Sequence, residues 1–191
     1  HEKDGASLHS KLISRNKKSV AIDLRQPAGQ ELVRRLLVSS EADILIESFR
    51  PGTLERWNLS YERLKQDLPG LIVVRVSGFG QTGPYAPLPG FGTLVEAMSG
   101  FAARTGFPDR EPVLPPLALA DMIAGLYGAF ATVTALRARE RGEAGGQVID
   151  LTLLESMFSV LGPEAAIFRA TGAVKERTGS LSPDIFDAVI M

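Results

Sequence analysis

Apolar residues in this chain fall into short runs separated by polar stretches, and the spacing within each run predicts an element. Val20-Ala21-Ile22-Asp23-Leu24 reads as a short strand. Pro27-Ala28-Gly29-Gln30 follows, then Leu32, Leu36 and Leu37 at helical spacing; Pro27 suits a first helical turn, where its missing N–H loses no partner. Asp43-Ile44-Leu45-Ile46-Glu47 predicts a second strand, Pro51-Gly52 a turn, and Leu54 to Trp57 a short helical stretch. Ser60 before Tyr61-Glu62-Arg63 reads as the N-cap of a helix ending near Pro69-Gly70. Leu71-Ile72-Val73-Val74-Arg75-Val76 is continuous rather than alternating, the pattern of a strand buried on both faces. This is βαβαβ alternation, which predicts an α/β fold with a parallel sheet and flanking helices.

The pattern then breaks. Gly78 to Gly92 carries glycines at 78, 80, 83, 90 and 92 and prolines at 84, 87 and 89, which excludes regular helix or interior strand. A helix from Thr93 to Met98 and a proline-rich stretch from Pro108 to Pro116 come next. Ala120 to Arg139 predicts a long helix whose Ala124, Gly125, Gly128, Ala129 and Ala131 suit close approach to a neighbouring backbone. Gly142 to Gly146 ends it, Gln147 to Leu151 predicts a strand, and Leu153 to Arg169 a further apolar helix. No internal repeat is visible.

Composition narrows the chemistry. The chain has 191 residues, 45% apolar and 23% charged, with 21 Lys+Arg against 22 Asp+Glu. A net charge of -1 gives no global field for polyanions and no basic patch is evident, so no nucleic-acid partner is expected. Cysteine is absent and the two histidines, His1 and His9, both precede the first apolar run. Thiolate nucleophiles, disulfides and Cys/His zinc sites are thereby removed, a Ser-His-Asp triad is disfavoured, and no metal is expected. Catalysis falls to carboxylates, hydroxyls, amides, Lys or Arg. The lack of cysteine fits a reducing compartment, the cytoplasm or alternatively the mitochondrial matrix. No uninterrupted apolar run approaches 18 residues and no signal-like start is present, so no membrane span is expected.

Three places carry candidate chemistry. Asp121 opens the long helix after Leu117-Ala118-Leu119-Ala120, either as an N-cap or as a carboxylate kept ionised by the helix start and able to attack a thioester. Gly78-Phe79-Gly80-Gln81-Thr82-Gly83 resembles a phosphate loop, but Pro84, Pro87 and Pro89 prevent its last glycine from opening a helix. It reads as an active-site wall or as a long crossover. Glu47-Ser48-Phe49-Arg50-Pro51-Gly52 lies at the carboxyl end of a strand, where open α/β sheets bind ligands. There Arg50 and Arg56, with Arg25 after the first strand, either converge on phosphates or are solvated surface charges. Asn16-Lys17-Lys18 reads as a solvated flank.

In order along the chain these landmarks resemble the family III CoA-transferases, related to formyl-CoA and carnitine-CoA transferases and to α-methylacyl-CoA racemase. The match runs through Arg15-Asn16-Lys17-Lys18-Ser19-Val20 with Asp23-Leu24, then Ala42 to Gly52, Ser77 to Pro84, and Ala97-Met98-Ser99-Gly100. Ala120-Asp121 with Ala135-Leu136 and Arg139, and Gly145 to Leu151, complete it. The resemblance covers residues 15–180 and implies one incomplete large domain over 1–191, built on a Rossmann-like parallel sheet. Family positions before His1, and most of the small domain after Thr178, are expected to be absent, and Ser182-Pro183-Asp184-Ile185-Phe186 departs from the family pattern.

The resemblance implies transfer of CoA from an acyl-CoA to a carboxylic acid, through an acyl-aspartyl and then an aspartyl-CoA intermediate. Asp121 would be the nucleophile, and Ile22, Arg25, Ser48, Phe49, Arg50 and Arg56 would contact coenzyme A, with Ser48 replacing the usual Asn. It also implies an interlocked homodimer, acyl-CoA and carboxylic acid as substrates, and no metal. An alternative is the racemase branch, whose base is a His at the position of Phe91; that position here offers no base. The other alternative is a noncatalytic CoA-binding fragment.

Overall fold

The computed structural model of the chain describes residues 2–3 and 5–180, so His1 and the stretch Ser182 to Phe186 lie outside the described residues. A short antiparallel pair, β1 (Glu2–Lys3) and β2 (Ala6–Ser7), leads into helix α1 (Leu8–Ile13). Then follow α2 (Pro27–Ser39), β3 (Ile44–Glu47), α3 (Thr53–Arg56), α4 (Tyr61–Asp67) and β4 (Ile72–Ser77). The second half is α5 (Gly92–Met98), α6 (Phe101–Arg104), α7 (Leu119–Glu140), β5 (Val148–Thr152), α8 (Leu153–Ser159) and α9 (Glu164–Thr171).

β4 is central and pairs in parallel with β3 on one side and β5 on the other. The α/β class and the parallel pairing expected from the alternation are present, in a sheet of three strands flanked by helices. Ile72 to Arg75 are all buried, as an uninterrupted apolar run requires. Because successive strand side chains point to opposite faces, Val73 joins a core with Leu54, Leu59, Leu64 and Leu71. Val74 joins the opposite core of Val95, Ala120, Ala124, Leu151, Leu153 and Met157. Each fully buried side chain of this size contributes about 1.5–3 kcal/mol.

Several local expectations change. Residues 17–23 form no strand. An extended run becomes one only where another strand offers its N–H and C=O groups, and β3 pairs with β4 alone. In α2, Pro27 is at the helix start as predicted, but Val33 and Leu37 pack inward while Leu32 and Leu36 are exposed. The single helix predicted from Leu153 to Arg169 is split into α8 and α9 by Gly162, at φ +68°, and Pro163.

Of the two α7 glycines expected to admit a neighbouring backbone, Gly128 makes room for a side chain instead. A Cβ on Gly128 would lie 2.7 Å from Leu151 Cδ2, whereas Gly125 faces open space. By length and composition α7 is apolar enough to cross a membrane, yet Ala120, Ala124 and Gly128 are buried within the fold. Its other side exposes Met122, Leu126, Phe130 and Val133.

Candidate active site

The carboxyl ends of the strands open into a cleft of about 290 Å³. One side is Ser48, Phe49, Arg50 and Pro51, the turn leaving β3; the other is Gly78 and Phe79 with Pro89, Gly90 and Phe91 of the glycine-rich loop. Ligands of open parallel sheets bind at this end, because the strands there hand the chain to loops whose side chains and amides converge.

An ion network holds the turn. In register, Glu47 of β3 stands beside Arg75 of β4. Arg75 Nε donates to Glu47 Oε1 at 2.8 Å, and the other carboxylate oxygen, Oε2, accepts from the Phe49 backbone N–H at 2.7 Å. The guanidinium Nη1 and Nη2 donate to Glu55 of α3 at 2.7 and 3.2 Å. Glu47 is 5% and Arg75 9% exposed, so breaking the pair would strand a buried charge. Burial works against the Arg75 charge, but the hydrogen bonds to Glu55 and Glu47 outweigh it and raise the pKa above the ordinary arginine value. The same Arg75 contact holds the Glu55 carboxyl below its ordinary range.

This frame presents the predicted residues unequally. Phe49 packs edge-on against Trp57, ring centroids 4.9 Å apart, and Arg50 is exposed in the cleft wall with no ion pair among the described residues. Gly52 at φ +79° turns the chain into α3, whose Arg56 donates to Thr53 Oγ1 at 2.8 Å. Ser48, Phe49 and Arg50 line the cleft; Ile22, Arg25, Arg56 and Asp121 do not. Arg25 is taken by Asp23, with Nε and Nη2 donating at 2.9 and 3.0 Å. That contact lowers the Asp23 pKa and raises that of Arg25.

The glycine-rich loop forms a wall of the cleft. It closes on itself where a Cβ on Gly78 would fall 2.5 Å from Gly90 Cα, an approach only two glycines permit. The Gly80 N–H donates to Ser77 Oγ at 2.9 Å and the Gln81 N–H to Asp150 Oδ2 at 2.8 Å, pinning the loop to β4 and β5. Gln81 Nε2 is buried without a hydrogen-bond partner among the described residues.

Asp121 is not the N-cap. Ala118 holds that position, Asp121 is the third helical residue, and its exposed carboxylate has no hydrogen-bond partner among the described residues. It stands beside the backbone of Gly92, the residue after the cleft-lining Phe91: a Cβ on Gly92 would be 2.5 Å from Asp121 Oδ2. The capping bond comes instead from α5, where Glu96 Oε1 accepts from the Ala120 N–H at 3.0 Å.

Glu96, Glu47 and Arg75 were not singled out by the sequence pattern. The available signal was the same in each case: a charge inside or closing an apolar run, Leu94-Val95-Glu96-Ala97 and Val73-Val74-Arg75-Val76, which burial obliges to find a partner. Among the described residues no group of three or more His, Cys, Asp or Glu side chains is placed to hold a metal.

A family model described as CoA-transferase family III matches residues 1–189. The succinyl-CoA–D-citramalate CoA-transferase of Chloroflexus aurantiacus is 44% identical over 97% of this chain and 45% of its own length. The succinate–glutarate CoA-transferase of Agrobacterium fabrum is 40% identical over 90% of this chain and 42% of its own. Among solved structures, a CaiB/BaiF family protein from Brucella suis superposes with a TM-score of 0.81 at 42% identity, covering 87% of this chain and 43% of that one. The chain therefore spans less than half the length of these relatives.

Proposed function

The chain belongs to CoA-transferase family III, and from that membership we propose that its protein moves CoA from an acyl-CoA to a carboxylic acid with Asp121 as covalent nucleophile. A carboxylate oxygen of Asp121 attacks the thioester carbonyl, the C–S bond breaks, and CoA leaves as thiolate, giving an acyl-aspartyl anhydride. The thiolate then attacks the aspartyl carbonyl and releases the donor acid, leaving an aspartyl-CoA thioester. The acceptor carboxylate attacks that thioester, the C–S bond breaks and CoA leaves again as thiolate, giving a second mixed anhydride; the thiolate then attacks the acceptor-derived carbonyl, forming the new acyl-CoA and releasing the Asp121 carboxylate. No net proton, electron or water is consumed.

The observation that carries this reading is the state of Asp121: an unbonded carboxylate in the first turn of α7, beside the Phe91–Gly92 end of the cleft. Its oxygens carry no hydrogen bond among the described residues and are free to attack. The turn Ser48-Phe49-Arg50, framed by Arg75, supports a role in holding CoA, with Arg50 and Arg56 toward its phosphates and Arg25 and Ile22 beside them. The two named relatives act on short dicarboxylates, and we assign substrates of that class here, succinyl-CoA as a donor among them. We assign the exposed α7 face of Met122, Leu126, Phe130 and Val133 to a homodimer interface, and the three strands to a Rossmann-like sheet of the whole protein. Sedimentation of the full-length protein as a stable, active monomer would remove the dimer.

The decisive experiment uses Asp121→Asn and Asp121→Ala in the full-length protein, with hydroxylamine trapping and peptide mass analysis. Both variants are expected to lose transfer by at least about 10³-fold and to form no adduct at residue 121. Full activity in Asp121→Asn, with no adduct on the wild type during turnover, would overturn the assignment.

A further inference from the structure

The first turn of a helix leaves N–H groups without intrahelical acceptors, and a neighbouring side chain usually supplies one. In α7 the N-cap is Ala118, which has no side-chain acceptor. The residue best placed to compensate is the acid at the third helical position, which in a capping box reaches back to the cap. That acid is Asp121, and it makes no such bond. The acceptor is Glu96, 2% exposed, whose Oε1 takes the Ala120 N–H at 3.0 Å from across the α5–α7 interface.

Gly92 and Glu96 are four residues apart on α5 and so share one face. That face meets consecutive residues of α7: Gly92 stands against the Asp121 carboxylate, and Glu96 holds the amide of Ala120. Val95 and Ala120, both fully buried, close the interface around them. α5 thus fixes the start of α7 by one hydrogen bond and leaves a space one Cβ wide for the neighbouring carboxylate.

We propose that Glu96 is the positioning residue of the nucleophile: it takes over the capping of α7, so that the Asp121 carboxylate stays unbonded and aimed past Gly92. This rests on the reading of Asp121 as nucleophile. A carboxylate engaged by backbone amides would be held in place by its lone pairs and would have to break those bonds before attacking. With Glu96 as cap, the oxygens of Asp121 enter the reaction without that cost, and the geometry of attack is set by a buried bond rather than by an exposed side chain.

The test compares Glu96→Met, Glu96→Gln, Gly92→Ala and Asp121→Asn in the full-length protein. Readouts are kcat, KM for acyl-CoA, and the hydroxylamine-trapped adduct at Asp121, each normalised to folded protein. Glu96→Met fills the volume without an acceptor and is expected to lower kcat and the rate of adduct formation by about 10²-fold, with KM unchanged. Glu96→Gln keeps an oxygen acceptor and is expected to restore both to within about threefold, since a neutral acceptor still caps. Gly92→Ala displaces the carboxylate from the other end of the same face and, should Glu96→Met not fold, provides the same kcat-only loss. Unchanged kcat in Glu96→Met, equal impairment of Glu96→Met and Glu96→Gln, or a loss confined to KM overturns the role of Glu96 while Asp121→Asn stays inactive. An active Asp121→Asn instead removes the nucleophile on which the role depends.

Discussion

The turn at 48–52 follows an apolar run and the segment at 20–25 contains one, and both offer an arginine for phosphate, yet they are built on opposite principles. At the turn, the acid is Glu47, which faces inward, pairs with Arg75 at 2.8 Å and uses its second oxygen to hold the Phe49 amide. Arg50 is left at the cleft with no ion pair among the described residues. In the other segment the acid is Asp23, which faces solvent and spends both oxygens on Arg25, its neighbour two residues on. The backbone there is docked, with Gln30 Nε2 donating to Leu24 O at 3.0 Å, but the charges are not part of the docking. A buried pair fixes a backbone, whereas an exposed local pair, screened by solvent, only occupies a guanidinium.

The strongest way to break this comparison is Arg75→Met. Leaving Glu47 buried and unpaired is expected to destabilise the fold by about 3–5 kcal/mol, read as a lowered urea midpoint, and to raise KM for acyl-CoA as the turn loosens. Adding Glu47→Leu should recover much of the stability, because no charge is then stranded, but not the KM, because the Phe49 amide still lacks its acceptor. A Glu55 carboxyl held below its ordinary value of 4.5 contributes stability that is complete above that pH and is lost as pH falls through the lower folded value. Wild-type stability should therefore fall more steeply below pH 4.5 than that of Arg75→Met; parallel curves would remove Glu55 from the network.

A smaller effect sharpens the comparison on the ligand side. Arg50→Glu is expected to weaken CoA binding by about 1.5–3 kcal/mol, roughly 10- to 150-fold, while sparing pantetheine, which lacks the nucleotide phosphates. Arg25→Gln should cost less than Arg50→Glu, and its loss should fade at high salt, because Arg25 is solvated and must first give up Asp23. Titrations with CoA and pantetheine at two salt concentrations measure both. Equal losses for CoA and pantetheine in Arg50→Glu would place it away from the phosphates.

The strand at 72–77 was legible because burial on both faces leaves an uninterrupted apolar run, the strand at 44–47 because its run Ile44-Leu45-Ile46 is apolar although Ile46 is exposed, and the Ser60 cap because it sits one residue before a helical pattern. The Val20–Leu24 run carried the same local signal and formed no strand, since pairing depends on a neighbour that sequence does not name. Asp121 falls in the first turn of its helix, as its sequence position predicts, but of its two readings the N-cap does not hold: the acceptor lies 24 positions away from the amide it caps, on another helix.

By itself, the sequence determined the α/β class, the positions of β3, β4 and α7, and the residue types available for chemistry: carboxylates and arginines in a chain without cysteine. These follow from periodicity and composition, which are local properties. Tertiary structure decided which carboxylate is spent on structure and which is left free. Glu47 and Glu96 are buried and bonded, Asp23 is exposed and bonded, and Asp121 is exposed and, among the described residues, unbonded. A carboxylate has the same chemistry at every position in the sequence, and only the groups brought beside it by folding determine whether its charge is consumed.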